Sequence, residues 1–175
     1  MALFERFGEF DSAEELNATA EGLKEEGDME SLKALAVENG LEEADAEDYM
    51  DGAVDTLTNP LMAALGKLDV EAKELELDGM LLDWLAELKS MCADSGAMAA
   101  AVRKTGNELA CCIGTMIAYG FEHKTKVSDK IVDVTKVKHN GKVEPLRKPC
   151  YLGAPNKAEV KKIVRAYYLG EEMES

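Results

Sequence analysis

Apolar residues recur at helical spacing in several short segments of this chain, and helix-capping or helix-ending residues bound each segment. Between residues 80 and 91, for example, Leu81, Trp84 and Leu88 are spaced three or four positions apart. A half-buried strand would instead show strict alternation of apolar and polar residues. The spacing therefore predicts a mainly α fold, a multi-helix bundle in which each helix buries one face.

Capping residues predict where the helices begin. Ser12 precedes an apolar-periodic segment, and Glu15 follows at the spacing of a capping box, in which its carboxylate returns to the Ser12 backbone. Asn59 precedes Pro60, and proline is favoured at the first helical position. Further predicted caps are Asp28, Ser95, Asn107 and Asn156.

Glycine marks two other features. Asn140-Gly141 lies between Val137 and Val143 and predicts one small β-hairpin in the C-terminal part of the chain. Gly114 and Gly120 interrupt the most apolar segment, residues 107–122. Because a helical glycine costs about 1 kcal/mol relative to alanine, we expect these two to allow close packing against another helix, including one across a homodimer.

Charge divides the chain into two parts. Residues 1–100 contain 26 acidic and six basic residues, a net charge of −20, whereas residues 101–175 contain nine acidic and 14 basic residues, a net charge of +5. This shift predicts an acidic helical region over residues 1–95 and a basic helical region with the hairpin over residues 96–175. The two regions are either separate or parts of one compact domain.

The acidic region has two interpretations: a well-solvated surface, or a surface that binds a basic partner with salt-sensitive attraction. The sequence pattern of residues 32–52 is typical of a helix-turn-helix. Its second helix carries carboxylates that would repel phosphates, which argues against binding to DNA. Three more acidic residues lie close in sequence to this segment: Glu25, Glu26 and Asp28. The candidate partner contacts are Glu42, Glu43, Asp45, Glu47, Asp48 and Asp51.

The basic region carries candidate contacts to nucleic acid, with Tyr167 or Tyr168 available to stack on bases. The alternative is a solvated helix face or a face that pairs with an acidic neighbour. These candidate contacts are Arg103, Lys104, Lys161, Lys162 and Arg165.

Several classes of function have no supporting motif. The four cysteines and two histidines contain no C-x-x-C pair, and we expect buried reduced thiols and no metal or other cofactor. A metal-stabilised structural module remains a third hypothesis. Since no phosphate-binding glycine loop and no paired nucleophile and base are present, we do not expect an enzyme. No apolar run or signal sequence is visible, so we expect a cytoplasmic protein without membrane contact.

Two segments of the chain have sequence patterns that go beyond helix periodicity. The first consists of Arg103-Lys104, Asn107, Leu109, Cys112-Ile113, Met116-Ile117, Val160, Ile163-Val164, Tyr167-Tyr168 and Glu171. These residues resemble the core of PcfK-like proteins of conjugative plasmids and phages, one branch of which inhibits Cas9. The second, residues 3–17, resembles the start of acidic proteins of mobile elements in gut bacteria, among which type II anti-CRISPR proteins occur.

The resemblance implies an inhibitor that acts in a bacterial host cell by binding and carries no catalytic residue. Such a protein would bind a Cas9-type nuclease non-covalently and block its DNA recognition or cleavage, with its acidic surface acting as a DNA mimic. Cas9-type nucleases hold nucleic acid in positively charged channels. The alternative is an accessory protein of plasmid transfer or phage replication whose basic C-terminal region contacts nucleic acid.

Overall fold

In the computed structural model, which describes residues 3–173, helices dominate and strands occur only in the C-terminal part. The described residues form nine helices and two two-stranded antiparallel sheets, which confirms the mainly α prediction. The helices are α1 (Ala13–Glu26), α2 (Met29–Glu38), α3 (Glu43–Met50), α4 (Pro60–Glu74), α5 (Met80–Asp94), α6 (Gly96–Arg103), α7 (Leu109–Glu122), α8 (Asp129–Val134) and α9 (Lys157–Leu169). The strands are β1 (Thr125–Lys126), β2 (Lys136–His139), β3 (Lys142–Pro145) and β4 (Tyr151–Leu152).

Most predicted caps are confirmed. The side chains of Ser12, Asp28, Asn59, Ser95 and Asn156 each accept a backbone N–H in the first turn of their helix.

Two details of the predicted caps were wrong. The Glu15 carboxylate accepts the backbone N–H of Asp11, at 2.8 Å, rather than that of Ser12. Asn107 does not cap α7, because its side chain donates to the carbonyl of Ala101 and the helix begins after Glu108.

The predicted hairpin is confirmed. Strands β2 and β3 pair antiparallel, and Asn140 and Gly141 between them have φ angles of 49° and 79°. Positive φ at both central residues is what a two-residue turn of type I′ requires. The other sheet pairs β1 with β4. The sequence carries no turn signal for this sheet, because its strands lie far apart along the chain.

The helices enclose two apolar cores. One lies among α1, α2, α3 and their flanking segments and contains the fully buried Leu16, Leu32 and Leu35. The other is shared by α4, α5, α6, α7 and α9 and contains Leu68 and Met116. Since α4 and α5 precede residue 95 and the other three helices follow it, the shift in charge does not coincide with a break in packing.

Glycines permit two close backbone contacts. Gly40, at φ +73°, and Gly66 bring the turn after α2 against α4, and a Cβ on Gly66 would overlap the Asn39 carbonyl oxygen. Gly120 packs against the backbone of Gly153, in the loop before α9, and not against another helix as predicted. Gly114 faces open space, and a homodimer through this face of α7 stays a prediction.

Candidate partner-binding surface

The acidic residues chosen from the sequence lie on α3 and its flanking turns. All are exposed except Asp45, which is half-buried. The Asp45 carboxylate accepts the backbone N–H of Glu42 at 2.9 Å and so fixes the start of the helix. Asp45 and Asp48 also line a cleft of about 280 Å³ whose apolar wall includes Val54 and Met62.

Lys33 of α2 neutralises one edge of this surface. Its Nζ forms ion pairs with Glu47 and with Glu43, the latter at 3.7 Å. The hydrogen bond to Glu47 is the main reason that the pKa of Lys33 is raised. Asp48 and Asp51 have no ion pair among the described residues. Their charges are therefore free to act on a partner.

Helix α1 extends the acidic surface. Lys24 donates a hydrogen bond to the Tyr49 carbonyl at 2.6 Å, and its Nζ lies 4.3 Å from the centroid of the Tyr49 ring. This contact fixes α1 against the end of α3. Burial raises the pKa of Tyr49, and the neighbouring carboxylates of Glu21 and Glu25 raise it further. We call the combined set the acidic surface: Glu21, Glu25, Glu42, Glu43, Asp45, Glu47, Asp48 and Asp51.

Arg103, predicted to contact nucleic acid, is buried, and this prediction was wrong. Only 1% of the residue is exposed. Its Nη2 donates to Asn39 Oδ1 at 2.8 Å, and its guanidinium lies 5.6 Å from the centroid of the Phe4 ring. Arg103 therefore joins α6 to the turn after α2, and no phosphate can reach it in this fold.

The remaining basic candidates are exposed but do not form one open cationic face. Lys161 contacts Glu87 at 3.3 Å, and Lys157 contacts the same carboxylate at 3.0 Å. Arg165 makes two hydrogen bonds to Glu171, at 2.7 and 2.6 Å. Carboxylates of the same chain therefore already satisfy much of this charge. Lys104 and Lys162 are the other two exposed candidates.

The net positive charge lies instead in the segment from just before β1 to the end of β4, which the charges of the two halves of the chain do not reveal. Residues 124–152, here called the basic lobe, contain eight basic and three acidic residues, a net charge of +5. The rest of residues 101–175 contains six of each and is neutral. Counting charge over a window of about 30 residues rather than over half of the chain would have found this segment.

A buried polar cluster was also missed. Lys67, with no exposed side-chain surface, lies 2.5 Å from the Glu9 carboxylate and donates to the Lys104 carbonyl at 2.9 Å. Glu71, 7% exposed, accepts the backbone N–H of Leu109 at 3.3 Å. Lys67 and Glu71 share a helical face with the apolar Leu68. This spacing was the sequence signal that both charged side chains lie on the buried face of α4.

The Glu71 carboxyl faces a cavity of about 360 Å³. Leu3, Phe4 and the carboxylates of Glu9, Glu74 and Glu108 also line this cavity. Burial raises the pKa of Glu71 to about 7, although Lys67 and the N–H of Leu109 favour its charged form. The carboxyl therefore changes its protonation near neutral pH.

This shift predicts the pH dependence of stability. Folding raises the pKa of Glu71 from 4.5 to about 7. The contribution of Glu71 to the free energy of unfolding is therefore complete below pH 4.5 and is lost as pH rises through 7. We expect Glu71→Gln to remove up to about 3 kcal/mol of this dependence, measured by urea unfolding at pH 5 and pH 8. Glu74→Gln, an exposed change on the same cavity, is the control and should keep the wild-type dependence; an equal effect of both variants would contradict the assignment.

Other reactive groups are dispersed. Residues 3–173 contain no group of three or more His, Cys, Asp or Glu side chains placed to hold a metal ion. The cysteines are free, and burial raises the pKa of Cys92 to about 11 and of Cys112 to about 12. Cys111 is exposed and Cys150 half-buried, so the prediction of buried thiols was correct for two of the four. None of the helices described is both long and apolar enough to span a bilayer.

No family model, no curated protein and no solved structure matches this chain.

Proposed function

We propose that this protein binds the cationic nucleic-acid-binding surface of another protein through its acidic surface. The leading candidate is a Cas9-type nuclease, bound non-covalently so that its recognition or cleavage of DNA is blocked. That target would place the protein in the cytoplasm of a bacterial host. The observation that carries the proposal is the concentration of exposed carboxylates on packed helices, with Asp48 and Asp51 lacking ion pairs among the described residues.

The density of charge on α3 approaches that of DNA. Six carboxylates lie between Glu42 and Asp51, which at the helical rise of 1.5 Å per residue is about one charge per 2.3 Å. Duplex DNA carries about one charge per 1.7 Å of axis. A protein channel lined by arginine and lysine would therefore meet a negative field, reduced near Glu43 and Glu47 by Lys33.

The supporting helices keep this charge in place. Ala46 and Tyr49 bury one side of α3 against the first core. Lys24 and Lys33 connect α3 to α1 and α2 through the contacts described above. Since these carboxylates are held on ordered backbone, binding loses little conformational entropy beyond that of side chains.

We expect the double variant Asp48→Asn, Asp51→Asn to weaken binding to Cas9 by at least about tenfold, mainly through a slower association rate. Biolayer interferometry on Cas9, empty and loaded with guide RNA, at 50 and 200 mM salt measures this effect. A DNA-cleavage assay then reports inhibition. The matched control, Asp83→Asn with Asp94→Asn, removes the same charge from exposed positions on α5 and should bind as wild type.

Two results would contradict the proposal. Absence of wild-type binding at 50 mM salt would remove Cas9 as the target. An equal loss in both double variants would show that net charge, rather than the acidic surface, drives association.

A further inference from the structure

The hairpin of the basic lobe is a two-stranded ribbon whose residues stay exposed in the part of the chain that the structure describes. Every residue of β2 and β3 is exposed. An isolated hairpin is marginally stable in water, and this one contacts its neighbour α8 through β3. Apart from the contact of β3 with α8, the ribbon is therefore open to a partner.

Five of the eight cations of the lobe have no ion pair or ring contact among residues 3–173. Lys126 pairs with Asp129 at 3.6 Å, and Lys148 pairs with Asp133. Of the other basic side chains, Lys124 stacks over the Tyr151 ring. No carboxylate among the described residues pairs with the remaining five, which are Lys130, Lys136, Lys138, Lys142 and Arg147.

Strand register places these lysines in order along the ribbon. Lys136 lies opposite Pro145 and Lys138 opposite Val143, so both lysines share one face. His139 lies opposite Lys142 beside the turn. At about 3.4 Å per residue, Lys136 and Lys138 are about 6.8 Å apart, which is about twice the axial spacing of phosphates on one DNA strand.

We propose that this hairpin is a β-ribbon that binds the major groove of duplex DNA, with Lys136 and Lys138 contacting phosphates. The major groove admits a two-stranded ribbon, and strands read DNA in this manner in several protein classes. A duplex also matches the sign of the charge: the lobe is the part of residues 101–175 that carries the net +5.

The composition of the ribbon favours DNA over a protein partner. Each face carries one valine: Val143 lies with the two lysines and Pro145, and Val137 lies with His139, Lys142 and Glu144. The buried centres of protein interfaces are depleted in lysine. Elsewhere in the lobe, Ile131 and Val134 on α8 are apolar and exposed. Such residues could instead contact a protein or a lipid surface, so the experiment must exclude both of these partners.

The test measures binding of the full chain to a fluorescein-labelled 20-base-pair duplex by anisotropy between 50 and 200 mM salt. We expect Lys136→Gln with Lys138→Gln to weaken binding about tenfold and to reduce the slope of log K against log salt by about 2, because each phosphate contact contributes about 0.9. The control, Lys157→Gln with Lys161→Gln, removes the same charge where Glu87 already pairs with it. It should retain wild-type affinity within about twofold.

Four outcomes would overturn the proposal. Two concern DNA: the wild-type chain does not bind the duplex at 50 mM salt, or both variants lose affinity equally. The other two indicate a different occupant: the chain binds anionic phospholipid vesicles but not duplex and the hairpin variant loses this binding, or light scattering shows self-association that depends on the two hairpin lysines. No nuclease is present in this test, and Asp48→Asn with Asp51→Asn should bind duplex at least as well as wild type. Failure of the ribbon proposal is therefore distinguishable from failure of Cas9 binding.

Discussion

Replacement of Lys67 by methionine is expected to lower the free energy of unfolding by about 3–5 kcal/mol, the usual cost of removing one partner of a buried ion pair. The Lys67 side chain has no exposed surface, so water cannot replace what the ammonium provides. Methionine fills similar volume, which separates the loss of charge from the loss of packing.

The physical reason is that three groups depend on one ammonium. The Lys104 carbonyl loses its hydrogen bond, and the Glu9 carboxylate loses the cation at 2.5 Å. The buried Glu71 carboxyl also loses an attraction that lowers its pKa. Glu9 retains some contact with solvent, since 23% of its side chain is exposed. The carbonyl and Glu71 therefore account for most of the expected cost.

Urea unfolding followed by circular dichroism measures the change, as a lower midpoint at unchanged slope. Lys89→Met is the matched control, because Lys89 pairs with Asp69 at the surface and exposed pairs contribute about 0–1 kcal/mol. A loss below about 1 kcal/mol for Lys67→Met would mean that the buried ion pair does not stabilise the fold.

Gly66→Ala is expected to lower the free energy of unfolding by about 3 kcal/mol, the upper end of the cost of overpacking. The added methyl would overlap the backbone of Asn39, and backbone cannot move aside as the end of a side chain can. Asn39 is itself fully buried and accepts the hydrogen bond from Arg103. The substitution therefore disturbs both the contact of the α2 turn with α4 and the Arg103 contact.

The control for Gly66→Ala is Gly114→Ala. Gly114 is also a helical glycine, but a Cβ there meets open space. We expect this second substitution to stabilise the protein by up to about 1 kcal/mol through helix propensity. Thermal unfolding should then shift in opposite directions, downward by about 6–12 °C for Gly66→Ala. Equal shifts for both variants would contradict the inferred contact.

Most features that depend on near neighbours in sequence were predicted correctly; the exceptions are the cap at Asn107 and the backbone partner of Glu15. Ser12, Asp28 and Asn156 begin helices because their side chains reach an N–H two or three residues away. Asn140-Gly141 forms the hairpin turn because both residues adopt positive φ readily. These interactions join groups only a few residues apart, so local pattern usually predicts them.

Charged residues were harder to place, because their environment depends on distant parts of the chain. Arginine usually lies at the protein surface. Arg103 is buried instead, because its hydrogen-bond partner Asn39, 64 positions away in sequence, is brought beside it by the fold. Lys161 and Glu87 pair from different helices. Burial contradicts the choice of Arg103 as a phosphate contact, whereas that of the exposed Lys161 stays a prediction. The acidic candidates on α3 and its flanking turns lie at the surface, except for the half-buried Asp45.

The sequence by itself determined the helical fold, most helix starts, the hairpin and the excess of negative charge in the first 100 residues, because propensity, caps and composition act locally. Only the tertiary structure decided which charges are free. It buried Lys67, Glu71 and Arg103, paired Lys33 with Glu47, and left Asp48 and Asp51 exposed with no ion pair to another described residue. The reason is that a charge is neutralised by whatever lies within a few ångströms, and chain folding alone brings those groups together.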